Sequence, residues 1–185
     1  MKKTFLICLL ISVMICVSAC GNEKNVENDL KSTLDAICSG SSEGLYIYGA
    51  GGITSSDIFA MDDKVQQDDI NCLIRNLSKY EVVDISIKNE KAEAELIITS
   101  PDMVNIMEEV DQSENLQDVG ELLTSVQKKL ESKKFPEKEF HIIVTLEKIN
   151  DQWYLIMNNE IANAFSGGLM EKYAEIISDM MKNGD

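Results

Sequence analysis

The stretch that decides the fold is Tyr80–Thr99, YEVVDISIKNEKAEAELIIT. Its apolar residues recur at every second position: Val83, Ile85 and Ile87 before Asn89-Glu90, then Ala92, Ala94, Leu96 and Ile98 after it. A period of two is the signature of a strand with one dry face. A two-residue turn at Asn89-Glu90 pairs Ile87 with Ala92, Ile85 with Ala94 and Val83 with Leu96. Every apolar pair then lands on one face, and a one-residue slip would destroy that agreement. Asn at the first turn position tolerates positive φ. In this register Val82 and Ile97 fall on the opposite, outer face.

The same pattern returns downstream. Phe140, Ile142, Val144 and Leu146 mark a third strand, and Trp153, Leu155 and Met157 a fourth. A turn at Asn150-Asp151 pairs Leu146 with Leu155 and Val144 with Met157. Between and around the hairpins the period changes to that of a helix. Val26, Leu30, Leu34, Ile37 and Cys38 predict a helix over Val26–Ser39, and Ile58, Val65, Ile70, Leu73, Ile74 and Leu77 one over Asp57–Leu77. Ser39–Ser55, rich in Gly and Ser, reads as a loop that Tyr46, Ile47 and Tyr48 partly pack. Ser100-Pro101-Asp102 reads as a helix start, with Ser as cap and Pro at the first helical position. Met103, Val104, Ile106, Met107 and Val110 follow, then a polar break at Asp111–Glu114 and a second helical run from Asn115 to Leu130. Asn159 caps a short helix that runs to Phe165. Gly167-Gly168 interrupts it, and Leu169, Tyr173, Ile176, Ile177 and Met180 form the last stripe. The order predicts an α+β domain: a four-stranded antiparallel sheet of two hairpins, packed against helices.

Within this pattern, Tyr80-Glu81-Val82-Val83 leads into a hairpin that runs on to Ile98-Thr99-Ser100-Pro101-Asp102-Met103. Later come Val144-Thr145-Leu146-Glu147-Lys148, Asn150-Asp151-Gln152-Trp153 and Ala162-Asn163-Ala164-Phe165-Ser166-Gly167-Gly168-Leu169. The region Lys79–Leu169 resembles the small lipoproteins of Gram-positive bacteria that carry a cystatin-like, nuclear-transport-factor-2-like domain. That resemblance implies a cone-shaped sheet wrapped on helices. It assigns no catalytic residue.

The N-terminus reads as an address. Lys2 and Lys3 precede Phe5–Val17, FLICLLISVMICV, an uncharged apolar run. Such a run is shorter than the roughly 20 residues that span a bilayer, and it fits a secretory signal. Val17-Ser18-Ala19-Cys20-Gly21 resembles the bacterial lipobox, whose Cys takes a diacylglyceryl group and a further acyl chain of the palmitate class. The reading is a signal peptide over 1–19, a lipidated tether over 20–25 and one α+β domain over 26–185. Two or more acyl chains make such an anchor stable. The expected location is extracytoplasmic, at the cell membrane.

Charge excludes one class of partner. The chain has 185 residues and a net charge of −15, which argues against nucleic acid. Loss of Lys2 and Lys3 with the signal takes the mature chain to −17. An anionic membrane would repel such a domain, so lipid at Cys20 and not surface charge would hold it.

Chemistry-bearing motifs are sparse. Cys8 and Cys16 leave with the signal, and Cys38 and Cys72 remain. An oxidising compartment permits a Cys38–Cys72 disulfide. The other reading is two half-buried free thiols. No Cys and His spacing fits zinc. Gly40-Ser41-Ser42-Glu43-Gly44 has the form of a nucleophile elbow, but it follows a helix and enters a loop in a chain too short for that fold. Gly49-Ala50-Gly51-Gly52 lacks the Lys of a phosphate loop. The acid pairs Asp62-Asp63, Asp68-Asp69 and Glu108-Glu109 lie on helical segments and read as solvated faces. No metal, cofactor or catalytic residue is expected.

One feature stands out. The outer sheet face carries Val82, Ile97, His141, Ile143, Tyr154 and Ile156 among Asp84, Ser86, Glu93, Glu95, Thr145 and Glu147. A half-apolar outer face suits docking to a partner or a second copy, and the other readings are cover by the N-terminal or C-terminal helix or scattered surface apolars. The expected function is therefore a membrane-anchored, non-enzymatic binding or interaction module of the cell envelope, with an envelope protein or a small ligand as partner. The alternatives are a small isomerase or hydrolase using the sheet–helix cavity, and a one-domain solute-binding lipoprotein.

Overall fold

The computed structural model describes residues 24–40, 47–48, 66–113 and 119–172, with 174, 175 and 178. These residues form an α+β arrangement whose centre is the pair of hairpins. Strand β2 (Lys79–Lys88) pairs antiparallel with β3 (Lys91–Pro101), and β4 (Glu137–Ile149) with β5 (Gln152–Ile156). β3 and β4 zip together antiparallel from Lys91↔Glu147 to Pro101↔Glu137. A two-residue strand β1 (Ile47–Tyr48) adds to the free side of β5 in parallel, so the sheet order is β1-β5-β4-β3-β2. The sequence reading placed β1 inside a loop. Ile47 is buried and pairs with Leu155, and two residues are too few to show a period.

The predicted register holds at the turn and then slips. Ile87 pairs with Ala92 and Ile85 with Ala94, but Leu96 takes Val82 rather than Val83. A β-bulge between Val82 and Asp84 leaves Val83 without a partner in the ladder. Exposure alternates along β2 except at Val83 and Asp84, which are both exposed. Bulges have this effect: one extra residue resets which side chains face out. Asn89 sits at φ 61, and Asn150 and Asp151 at φ 50 and 65, so both turns use the left-handed backbone that Asn and Asp tolerate. Leu146 pairs with Leu155 as expected, while β5 ends at Ile156, before Met157 could meet Val144.

Helix α1 (residues 24–39) lies across the inner face of the sheet. Val26, Leu30, Leu34 and Ile37 form its stripe, and all four are buried against Leu96, Ile98, Val144, Leu146 and Leu155. Two carboxylates pin it at opposite edges. Asp29 Oδ2 accepts the Trp153 backbone N–H at 3.1 Å on β5, and Asp35 Oδ1 accepts the Tyr80 hydroxyl at 2.6 Å on β2. Helix α5 (Asn159–Phe165) covers the rest of that face with Ile161, Ala164 and Phe165. Its cap is Asn158, one residue earlier than the sequence suggested: Asn158 Oδ1 accepts the Ile161 N–H at 2.9 Å.

A second cluster stands beside the first. Helices α2 (Gln66–Leu77), α3 (Met103–Ser113) and α4 (Val119–Glu131) bury Ile70, Ile74, Met103, Ile106, Val110, Val126 and Leu130 against one another. Strand β3 runs on through Pro101, so the predicted helix start moves to Asp102. Its Oδ1 accepts the Asn105 N–H at 3.2 Å. Ser100 is not a cap. It is buried, accepts from the Ser78 hydroxyl at 3.0 Å and donates to the Ala164 carbonyl at 2.6 Å, which ties the two clusters together. Gly167, at φ 65, comes after α5 where a Cβ would lie within 2.1 Å of the Pro101 carbonyl oxygen. Only Gly fits that crossing. Among the described residues no helix is long and apolar enough to cross a membrane.

Candidate functional site

The outer face of the sheet is built by the alternation that fills the inner face. Each residue paired with an inward one has outward neighbours on either side, so β3 sends Glu93, Glu95, Ile97 and Thr99 out and β4 sends His141, Ile143, Thr145 and Glu147. The registers lay these out in rows. Glu81, Ile97 and His141 lie across β2, β3 and β4 in one row, and Asp84, Glu95 and Ile143 in the next. Ser86, Glu93 and Thr145 make the third. Val83 bulges out beside the Asp84 row.

The centre of this face is aliphatic and open. Val83 is 49% exposed and Ile143 62% exposed, while Ile97 between them is half-buried. Tyr154 and Ile156 extend the face onto β5 and are also half-buried. His141 is exposed beside Ile143. Five of the six expected face residues therefore lie there: Ile97, His141, Ile143, Tyr154 and Ile156. Val82 does not. It packs against the inner core, because the bulge exchanges its place with Val83.

Carboxylates flank the aliphatic centre on its β2–β3 side. Glu81, Asp84, Glu93 and Glu95 are all exposed, and none of them is within ion-pair distance of a cation among the described residues. Two lysines of this face are bridged at its corners, while Lys88, exposed in the Lys91–Glu147 row, has no ion pair among the described residues. Lys79 bridges Glu137 at 3.1 Å, and Lys91 bridges Glu147 at 2.8 Å. The Lys91 ammonium is held charged to higher pH by the hydrogen bond and charge of Glu147. Asp84 stands directly opposite Glu95, an arrangement in which like charges repel across strands.

Other places are less suited to chemistry. One open groove of about 600 Å³ is lined by Asn76, Leu77, Ser78, Lys79, Lys133, Phe135 and Glu137, with the Lys79–Glu137 bridge at its rim. Another, of about 300 Å³, lies between Asp102, Asn105, Lys138 and Glu171, where the Lys138 ammonium sits 5.1 Å from the Phe140 ring centre. Among the described residues no group of three or more His, Cys, Asp or Glu is placed to hold a metal ion. Glu108 and Glu109 are solvated on α3, with Glu109 bridged to Lys129 at 3.0 Å.

Cys38 and Cys72 are free thiols rather than a disulfide, and both are half-buried. Cys38 ends α1. Burial first, then the Asp35 carboxylate, pushes its thiol up to about 11, against a smaller opposing pull from the Arg75 guanidinium. Such a thiol is a poor nucleophile at neutral pH. Cys72 on α2 lies close under Gly40 and accepts a weak hydrogen bond from Asn76 Nδ2 at 3.6 Å. Burial and the Asp35 hydrogen bond hold the Tyr80 hydroxyl protonated well above its usual range, so its role there is to anchor α1. Cys20, the Gly40–Gly44 motif beyond Gly40, Gly49–Gly52 and Asp62-Asp63 lie outside the described residues, as do the Asp68 and Asp69 side chains.

No family model, curated protein or solved structure matches the chain.

Proposed function

We propose that the protein is a lipid-anchored, extracytoplasmic, non-enzymatic interaction module of the cell envelope, whose working surface is the open sheet face. The observation that carries this reading is the exposed aliphatic centre at Val83, Ile97 and Ile143. Two of its three side chains stand about half or more in solvent, on a face that no described helix covers. A bulge places Val83 there, although regular alternation would have turned that residue inward. Exposed aliphatic groups gathered at one place are more characteristic of an interface than of bare surface. The hydrogen-bonded ladder beneath makes the face rigid, which lowers the entropy lost on docking.

The anchor and the finer fold belong to the same proposal. The order of charge, apolar run, small residues and Cys20 supports lipidation at Cys20. A cystatin-like, nuclear-transport-factor-2-like cone is supported by α1 and α5 sharing one sheet face and by the bulge in β2, since bulges bend and twist strands.

The test places a photoreactive amino acid at position 143 or at position 108 on α3, in cells that make the protein naturally. The expected result is cross-linking to a protein from position 143 and none from 108. Equal cross-linking at both positions, or none at 143, contradicts the docking face. In parallel, Cys20→Ala should give a released protein or an uncleaved precursor. A processed Cys20→Ala protein that still partitions with membranes contradicts the anchor.

A further inference from the structure

We infer that the partner of this face is a cationic polypeptide segment with apolar side chains among its lysines or arginines. The inference rests on the docking reading and adds the chemistry of the occupant. Three observations support it. The centre of the face is aliphatic and exposed at Val83 and Ile143, so the occupant must bring apolar side chains. Its β2–β3 flank is carboxylate: Glu81, Asp84, Glu93 and Glu95 are exposed, and no described cation lies within ion-pair distance of any of them. Of the face's lysines, Lys79 and Lys91 are already bridged to Glu137 and Glu147 at its corners, and Lys88, at the hairpin end, pairs with none of the four carboxylates.

One like-charge pair points the same way. Asp84 faces Glu95 directly across the β2–β3 ladder. Two carboxylates at that spacing repel in the free protein. A lysine or arginine placed between them converts repulsion into a bridged pair, so the face gains most from a cationic occupant. An anionic bilayer, an acidic polymer or a second copy of this acidic chain would meet the same carboxylates with repulsion. A bare polyamine would satisfy the carboxylates but leave the aliphatic centre in water. A segment carrying both chemistries is the occupant that leaves neither unmatched.

The test uses the full mature chain in phosphatidylcholine nanodiscs, with empty nanodiscs as the blank. Three twelve-residue synthetic peptides serve as probes, alternating lysine with isoleucine, lysine with serine, and glutamate with isoleucine. The lysine–isoleucine peptide is expected to bind, more weakly as salt is raised. The lysine–serine peptide should bind at least tenfold more weakly and the glutamate–isoleucine peptide not at all. Val83→Ser with Ile143→Ser should weaken the lysine–isoleucine peptide at least tenfold, as should Glu93→Gln with Glu95→Gln. Glu108→Gln with Asp111→Asn, which removes the same charge from α3, should leave binding unchanged. Glu95→Lys should raise the melting temperature by removing the repulsion and weaken the peptide at the same time.

Two results would overturn the inference. If the α3 control weakens binding as much as the face variants do, the attraction is only the net charge of the chain. If the glutamate–isoleucine peptide binds as well as the lysine–isoleucine peptide while cross-links still form from position 143, the occupant is not cationic and the docking face stands. Absence of both peptide binding and cross-links fails the docking reading itself.

Discussion

Val83 shows how much one residue can carry. Val82 and Val83 are chemically identical, and alternation counted from the turn assigns the second of them to the core. In the fold it is the first that takes this place. The information was present in the spacing of more distant residues. Ile85 lies five positions after Tyr80, whereas its partner side runs four positions from Ala94 to Ile98. Tyr80 can sit inward opposite Ile98 only if β2 holds one extra residue. Reading the hairpin from both ends, with Tyr80 as a fixed point, would have demanded the bulge.

Cys38 offers a residue-scale test of the packing at the end of α1. Its thiol is neutral to about pH 11 in the folded chain, against an ordinary value of 9.0. At pH 8 the thiolate fraction is therefore about a hundredfold smaller than in the unfolded chain, and only the thiolate reacts. Alkylation by iodoacetamide, read at the Cys38 peptide by mass spectrometry, should slow by that order on folding. Because the folded value is the raised one, the group's contribution to stability is fully present below about pH 9 and is lost as pH climbs towards 11. Equal alkylation rates in the native and urea-unfolded chains would show that the thiol is not buried.

At the scale of elements, legibility in the sequence tracks how strongly each segment is patterned. The four long strands were legible because their alternating residues are buried on one face only. Helix α1 was legible because Val26, Leu30, Leu34 and Ile37 hold a helical spacing and all reach the core. β1 was not, because a two-residue strand amid Gly and Ser has no period, and its place is set by pairing with Leu155 from far along the chain. The start of α3 was misplaced because Ser100 and Asp102 are both good caps. The longer ladder with β4 decided between them by carrying β3 through Pro101. The proposed face was legible to the same degree: alternation placed its residues on β3, β4 and β5 and Asp84 and Ser86 on β2, and only Val82 was misplaced.

The bulge itself is open to test as an element. Deleting Val83 leaves Val82, Asp84 and Ile85 in regular in–out–in alternation, so Val82, Ile85 and Tyr80 keep their inward places. The hairpin should therefore survive, with stability changed by less than about 1 kcal/mol, the range of surface positions. That corresponds to a shift of roughly 2–4 °C in a chain of this size. Binding of the lysine–isoleucine peptide should fall, because a third of the aliphatic centre is gone. A deletion that unfolds the protein would mean that the bulge serves the fold. A deletion that folds and binds unchanged would mean that it serves neither.

For the whole molecule, the two sides of the sheet divide the labour. The inner side holds α1 and α5 by apolar contact and the Asp29 and Asp35 hydrogen bonds, and through Ser78 and Ser100 it is joined to the three-helix cluster. The outer side is, in the proposed reading, the docking surface. In the proposed setting, Cys20 fixes the domain to the membrane while its acidity holds it off an anionic surface. Whether the outer face receives a cationic, apolar segment is read most directly by a methyl NMR titration of the full mature chain with the lysine–isoleucine peptide. The methyl signals of Val83, Ile97 and Ile143 should move with peptide concentration while those of Leu34, Leu96 and Leu155 hold still. Movement confined to residues of the helical layer, or no movement at Ile143 at saturating peptide, would contradict docking at this face.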